Sequence, residues 1–352
     1  MNIPGISSYV PRDLRWTYNT LFVLAHFFGQ ERVDRYFSRT KQKYKEKLEA
    51  SLAKRSHSQR KVSVPTVNNL TPVEFSEQYS SKSIPVVFKS VAKSSPACQK
   101  WNFSFFKEKY GKDEAILINH PAYGDNVSNE SFEIVTLAQL IDSIDRDSMK
   151  YARFHPLLDR HPELQEDLDK DWFRNYMYGR SEKGFIFHTL FLAGKGTKTP
   201  AHNARNGVLF LQVEGRKRWL LWPADYSYLF QPEANRMTAK HCDLDPHNPD
   251  LQKYAGYQYL DYYETVLEPG DVLYVPPYMW HYVDNLSPSI GVGIRWSSLK
   301  SAMSADLLLG CMDFLNTNPS IFKVIKMSIE NGEFDFNRTL LYSMGHELPK
   351  IS

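Results

Sequence analysis

Cysteine is scarce: the 352 residues hold three, Cys98, Cys242 and Cys311. An odd number at such wide spacing argues against a disulfide framework and against a cysteine-based zinc site, and it suits a reducing, cytoplasmic setting. Long apolar runs are scarce too. The one candidate, Thr20 to Gly29 (TLFVLAHFFG), is too short to span a bilayer and carries His26. No basic stretch directly precedes it and no small-residue cleavage site follows, so it reads as a buried amphipathic helix rather than a leader. Internal repeats, low-complexity tracts, zinc fingers and nucleic-acid motifs are not visible, so neither a membrane nor a nucleic acid is expected as partner. Net charge is small, +3, but uneven. Residues 32–61 hold eleven Lys or Arg against three Asp or Glu, a local balance of +8. Val33, Phe37, Tyr44, Leu48 and Leu52 recur there at near-helical spacing, which predicts a basic helix with one apolar face. Such a charge run is usually a solvated face; its sharper use is a patch for an acidic partner.

What the chain does have is aromatic residues, 14% of the total with 21 Tyr and 21 Phe, as suits pleated surfaces. Three regions follow from patterning. Residues 1–65 read as a helical basic extension ending in a linker. Residues 66–300 read as short strands and turns with a few early helices, and residues 301–352 return to a helical pattern with Leu307, Leu308, Cys311, Met312 and Leu315 on one side. Ile84 to Phe88 and Glu114 to Ile118 are expected strands; Asn102 to Tyr110 and Thr136 to Ile144 are expected helices.

The stretch 184–296 carries most information. Gly184 to Ala193, Val208 to Val213, Lys217 to Trp222, Val272 to Val275 and Ile290 to Trp296 are apolar strands. Between them lie a turn from Gly194 to Pro200, the Glu214-Gly215 turn, the Pro269-Gly270-Asp271 turn and the Pro276-Pro277 stop. This spacing predicts a closed or nearly closed β-barrel. Two histidines stand beside rigid turns: His202, expected just before a strand, and His281, expected just after one. A lone histidine is more often structural than a ligand, so their surroundings decide.

Those surroundings are Thr199-Pro200-Ala201-His202, then Gln212-Val213-Glu214-Gly215-Arg216-Lys217-Arg218-Trp219, then Leu267-Glu268-Pro269-Gly270-Asp271-Val272-Leu273-Tyr274-Val275-Pro276-Pro277 running into Trp280-His281. In order, spacing and turn chemistry they resemble the Jumonji-C (JmjC) family of cupin oxygenases. The likeness is strong over 184–296, weaker back to about residue 70, and does not cover 1–65. It implies a mainly β fold with flanking helices: a double-stranded β-helix, or cupin jelly-roll barrel, with helical N- and C-terminal extensions. It also implies a dioxygenase that uses iron(II) and 2-oxoglutarate to oxidise an aliphatic C–H bond. The family holds iron with a His, a carboxylate two positions later and a distal His. Carried over, the metal-ligating histidines are His202 and His281, and the carboxylate position falls on Ala204, which cannot coordinate. The co-substrate carboxylate would be held by Lys217 and Thr199 through charge-assisted hydrogen bonds. The bland alternative for Lys217 is that it points outward beside Arg216 and Arg218. Arg295 stands where the family often has Asn or a small polar residue facing the pocket, and would change the pocket's charge.

Ala204 admits three readings. In the first, chloride replaces the carboxylate and the enzyme is halogenase-like, with Asn203 and Arg205 as helpers. In the second, a hydroxylase survives on two histidines or borrows Glu214 or Asp284. In the third, the chain is a catalytically inactive JmjC-like binding or scaffold protein that has lost iron. The substrate, a small molecule or a protein, is not legible. Tyr274, Tyr278 and Trp280 are candidate pocket edges, and the tyrosines between 254 and 263 are candidates for a groove, with packing the rival role for all. In similar proteins C-terminal helices form a dimer interface, so homodimerisation through 301–352 is left open.

Overall fold

The computed structural model describes residues 3–55, 59–119, 131–146, 149–179, 186–232 and 239–315. The strands among them are β1 (Lys61–Ser63), β2 (Thr66–Val67), β3 (Val86–Phe88), β4 (Glu114–Asn119), β5 (Ser131–Thr136), β6 (Lys150–His155), β7 (Ile186–Ala193), β8 (Lys198–Ala204), β9 (Gly207–Glu214), β10 (Lys217–Trp222), β11 (Ala239–His241), β12 (Tyr262–Leu267), β13 (Val272–Val275), β14 (Trp280–Asn285) and β15 (Ser289–Trp296). They form two sheets. One has the order β1-β12-β10-β14-β8-β11, the other β2-β3-β13-β9-β15-β7-β6-β4-β5. This is the expected jelly-roll barrel with helical flanks.

Alternation along the strands explains their near-continuous apolar runs. In β10, Trp219 and Leu221 face the barrel interior while Leu220 and Trp222 face outward. The interior set continues with Phe191, Phe210, Tyr263, Leu273 and Val283. The outer face of the six-stranded sheet is covered by the N-terminal helix Arg12–Phe28, by the basic helix Ser38–Leu52 through Tyr44, Leu48 and Leu52, and by Ala302, Leu309 and Met312. The basic helix is therefore amphipathic, its apolar side laid on the barrel. The outer face of the nine-stranded sheet packs on helices that include Phe103–Tyr110 and Leu137–Arg146. Asn102 caps the first by accepting from the Phe105 N–H, and Thr136 does the same for Gln139. A barrel strand with both faces covered has no polar side to show, so its sequence does not alternate.

Two glycines are required by their turns. Gly215, between β9 and β10, has φ of 71°, and a Cβ there would lie 2.0 Å from the Pro288 carbonyl oxygen. Gly270, before β13, has φ of 92° and lies against the Lys93 backbone.

The turn expected through Pro200 ends earlier. β8 already begins at Lys198, so His202 lies inside a strand, and β14 begins at Trp280, so His281 does too. The reason is a bulge. His202 pairs with His281 but Thr199 pairs with Val283, so three steps on β8 match two on β14. The extra residue accommodates Pro200, which elsewhere in a ladder would break it. Of the C-terminal region, helices Leu299–Ala305 and Leu307–Leu315 are described; residues 316–352, and with them most of the segment on which homodimerisation was expected, lie outside the described residues. Among the described residues no helix is long and apolar enough to cross a membrane.

Candidate active site

One cavity inside the barrel gathers His202, His281, Thr199, Lys217 and Arg295. The bulge is what permits this. Thr199 and His202 are three apart, and on a regular strand they would face opposite sides; the added residue turns both inward. His281 and Val283 reach the same cavity by ordinary alternation on β14, as do Lys217 and Trp219 on β10. The remaining walls are mostly aromatic, Tyr151 and Phe154 from β6, Phe191 from β7 and Phe210 from β9, with Val208 and Val275 beside them.

At one end the two imidazoles meet, ring centroids 4.1 Å apart. His202 Nδ1 lies 2.8 Å from the Pro200 carbonyl and His281 Nδ1 lies 2.9 Å from the Met279 carbonyl. A carbonyl only accepts, so each Nδ1 carries the proton and each Nε2 is left with its lone pair. This is the tautomer, with the other ring N–H held by a carbonyl, that metal-binding histidines adopt. Burial, the other imidazole, His241 and Arg295 push His202 well below the ordinary histidine range. Burial, Arg295 and His241 likewise push His281 down, to about 4. Both rings are thus neutral at physiological pH. Trp219 lies near-parallel beside His281, centroids 5.6 Å apart.

At the other end Lys217 is buried and its Nζ donates to Asn285 Oδ1 at 2.6 Å. The Asn285 amide is fixed in turn, its Nδ2 donating to the Thr197 carbonyl at 3.1 Å and to Thr197 Oγ1 at 2.9 Å. The ammonium also lies over the Tyr151, Phe210 and Phe191 rings at 5.5, 5.8 and 5.9 Å. Burial pushes Lys217 down to about 7. Lys217 therefore points inward, and the outward alternative falls. Thr199 Oγ1 shares a hydrogen bond with the Tyr151 hydroxyl at 3.1 Å. Arg295 stacks on Phe154 at 4.6 Å, and burial pushes it down to about 10. Among the described residues the lining includes no Asp or Glu. Two basic side chains without an acid make a receptor for anions.

Several expectations need correction. Asp284, next after Val283 on β14, alternates out of the barrel and meets His247 Nε2 at 2.8 Å. Glu214 sits at the far end of β9, half-buried and held up in its titration by burial, and is not in the lining. Neither acid can be borrowed. Asn203 alternates away from His202 and is fully buried outside the cavity. Arg205 is neither at the surface nor in the cavity: it is buried near Asp313, which accepts from the Tyr278 hydroxyl at 2.8 Å. Tyr274, Tyr278 and Trp280 are core residues: Tyr274 and Trp280 alternate to the outer faces of the sheets, and Tyr278 is buried in the turn between β13 and β14. Tyr254, Tyr257 and Tyr263 are core as well.

Three polar contributors carried no sequence signal. Tyr151 lies outside the motif region, Asn285 follows the second histidine motif by four residues, and His241 is an isolated histidine before Cys242. In the fold His241 pairs in register with His202, their rings 5.6 Å apart and nearly parallel. The structure fits a divalent metal on two counts, a converging imidazole pair and fixed tautomers. Beyond that pair, no set of three His, Cys, Asp or Glu side chains is gathered for one ion among the described residues.

Comparison with known proteins agrees with this architecture. The family model described as "Cupin-like domain" matches residues 72–301. Lysine-specific demethylase 8 of Danio rerio is 26% identical over 241 residues, 66% of this chain and 58% of its own. Lysine-specific demethylase JMJ30 of Arabidopsis thaliana is 26% identical over 239 residues, 66% of this chain and 54% of its own. HSPB1-associated protein 1 of Rattus norvegicus is 36% identical over a shorter 106 residues, 28% of this chain and 22% of its own. The chain spans little more than half the length of the first two.

Proposed function

Because the chain belongs to the cupin-like domain family, in which its relatives include JmjC proteins, we propose that it is an iron(II)/2-oxoglutarate-dependent oxygenase that oxidises an aliphatic C–H bond. The observation that carries this is one cavity holding two Nε2-presenting histidines at one end and a buried, carboxylate-free lysine at the other. His202 and His281 would hold the metal. Lys217 and Thr199, with Tyr151, would hold the far carboxylate of 2-oxoglutarate. When bound, the pair supplies oxidative decarboxylation to succinate coupled to attack on C–H. The chain's own work is different: Asn285 aims the Lys217 ammonium, the aromatic walls exclude water, and the backbone carbonyls at 200 and 279 keep both Nδ1 protons in place.

Arg295 bears on substrate. With Lys217 engaged, its guanidinium remains as uncompensated positive charge in the cavity. That favours a substrate presenting an anionic or hydrogen-bond-accepting group over a methylammonium, although relatives named as lysine demethylases make methylated lysine peptides a necessary comparison. Chloride beside Ala204 is a second reading, favoured by the acid-free lining, and would make the product chlorinated rather than hydroxylated. Incubation of the protein with iron(II), 2-oxoglutarate and oxygen, with and without chloride, tests both. Succinate release that requires His202 and His281 is expected. A chain that neither binds metal nor turns over 2-oxoglutarate is the inactive binding module instead.

A further inference from the structure

We propose that His241 is the third protein ligand of this metal site, so that the chain uses three imidazoles where its family uses two and a carboxylate; this rests on the reading above. The warrant is a register. One row of paired residues crosses the six-stranded sheet: Tyr263, Leu221, His281, His202 and His241, from β12 to β11. Residues directly opposite one another across a ladder point to the same face. Tyr263 and Leu221 are in the barrel interior, and His281 and His202 are in its cavity, so the row ends at its edge strand with a third imidazole on that same face. The inside of a barrel is concave, which leans the outer members of such a row toward the middle one.

The position is the right one. Ala204 pairs in register with Ala239, so His241 is the diagonal cross-strand neighbour of the residue that replaces the family's carboxylate. Diagonal neighbours lie about 7 to 8 Å apart, within reach of a long side chain. Among the described residues nothing else supplies a donor there: Glu214 and Asp284 are elsewhere, and the described lining holds no acid. His241 is exposed, and among the described residues its ring stacks on His202 without a side-chain hydrogen bond to hold it. The ring lies alongside His202 rather than converging with it. Rotation of an exposed side chain closes the set on a fast timescale, and a metal arriving between the Nε2 atoms of His202 and His281 provides the reason to rotate. Imidazole is a suitable donor for divalent first-row metals.

Anaerobic titration of the full chain with Co(II) tests this without reference to turnover, reading affinity by calorimetry and ligand number by the visible d–d bands. Four proteins are compared: the natural chain, His241→Ala, the double variant His202→Ala/His281→Ala, and His241→Ala/Ala204→Asp. The natural chain should bind one ion. His241→Ala should weaken binding by about 100-fold, at least the upper end of what losing an outer-shell partner costs, with altered bands that shift further on adding chloride. Ala204→Asp in that background should restore most of the affinity. If His241→Ala keeps both affinity and spectrum, this proposal falls and the two-histidine oxygenase stands. If the natural chain binds no Co(II), or the histidine double variant binds as well as it does, both readings fall.

Discussion

The two ends of the cavity are built to different standards. The lysine end is closed: Lys217, Asn285 and Ser289 are almost wholly buried, and Asn285 is fixed by two donations to Thr197 and by the Ser289 hydroxyl that donates to its Oδ1 at 3.0 Å. The histidine end is looser, although His202 and His281 are themselves buried. It lies toward the edge of its sheet, where β11 is the last strand and His241 is exposed. A buried ammonium whose protein acceptor is neutral stays costly until an anion arrives. A pair of neutral imidazoles costs little whether or not a metal arrives. The buried ammonium therefore biases the lysine end toward an anion, and the histidine end carries no such bias.

The largest effect should come from the histidines themselves. His202→Ala or His281→Ala should remove metal binding and any 2-oxoglutarate turnover together, with only a modest fall in melting temperature, because each ring, though packed on its aromatic neighbours, makes a single hydrogen bond, to a backbone carbonyl. Turnover surviving either substitution would show that the histidine end is not where the chemistry occurs.

Lys217→Met should split stability from binding. Affinity for 2-oxoglutarate should fall by about 10- to 100-fold, the range for losing a hydrogen bond to a charged group. The ligand-free protein should become more stable by a few kcal/mol at pH 7, since a proton affinity lowered from about 10.4 to about 7 costs roughly 1.4 kcal/mol for each tenfold change. The sign fixes the pH dependence. A lysine whose folded value is depressed weakens the fold fully below about pH 7, and the penalty is relieved as pH rises toward the unfolded value. The stability gap between variant and natural chain, measured by denaturant titration, should therefore shrink steadily from pH 7 to pH 10. A constant gap would mean that burial of the ammonium is not the cause.

The same contrast separates what was legible in the sequence from what was not. The barrel was legible because turn chemistry is local: Gly215 and Gly270 must be glycine where they are, and the motifs around them fix their strands. Thr199, His202, Lys217 and His281 were legible through those motifs. The bulge was not. Pro200 reads as a strand terminator, and only pairing with β14 shows that an extra residue absorbs it. Nor was the fate of Asp284, Asn203 and Arg205, since one-residue alternation decides inside from outside and depends on that same bulge. Tyr151 lines the cavity, Asn285 meets Lys217 and His241 lies beside His202 only through long-range register, which no short window of sequence contains.

A finer comparison concerns protons. If 2-oxoglutarate docks on Lys217, its carboxylate must restore the ammonium that burial suppresses, because a nearby opposite charge favours the charged form. At pH 8, above the folded value of about 7, binding should draw close to one proton from solution; at pH 6 it should draw almost none. Calorimetry in two buffers of different ionisation enthalpy reads this directly. Thr199→Val should leave that uptake intact and lower affinity by about fivefold, as befits one neutral hydrogen bond of roughly 1 kcal/mol. Uptake that vanished with Thr199→Val, or that persisted in Lys217→Met, would place the proton on another group and move the anion away from the closed end.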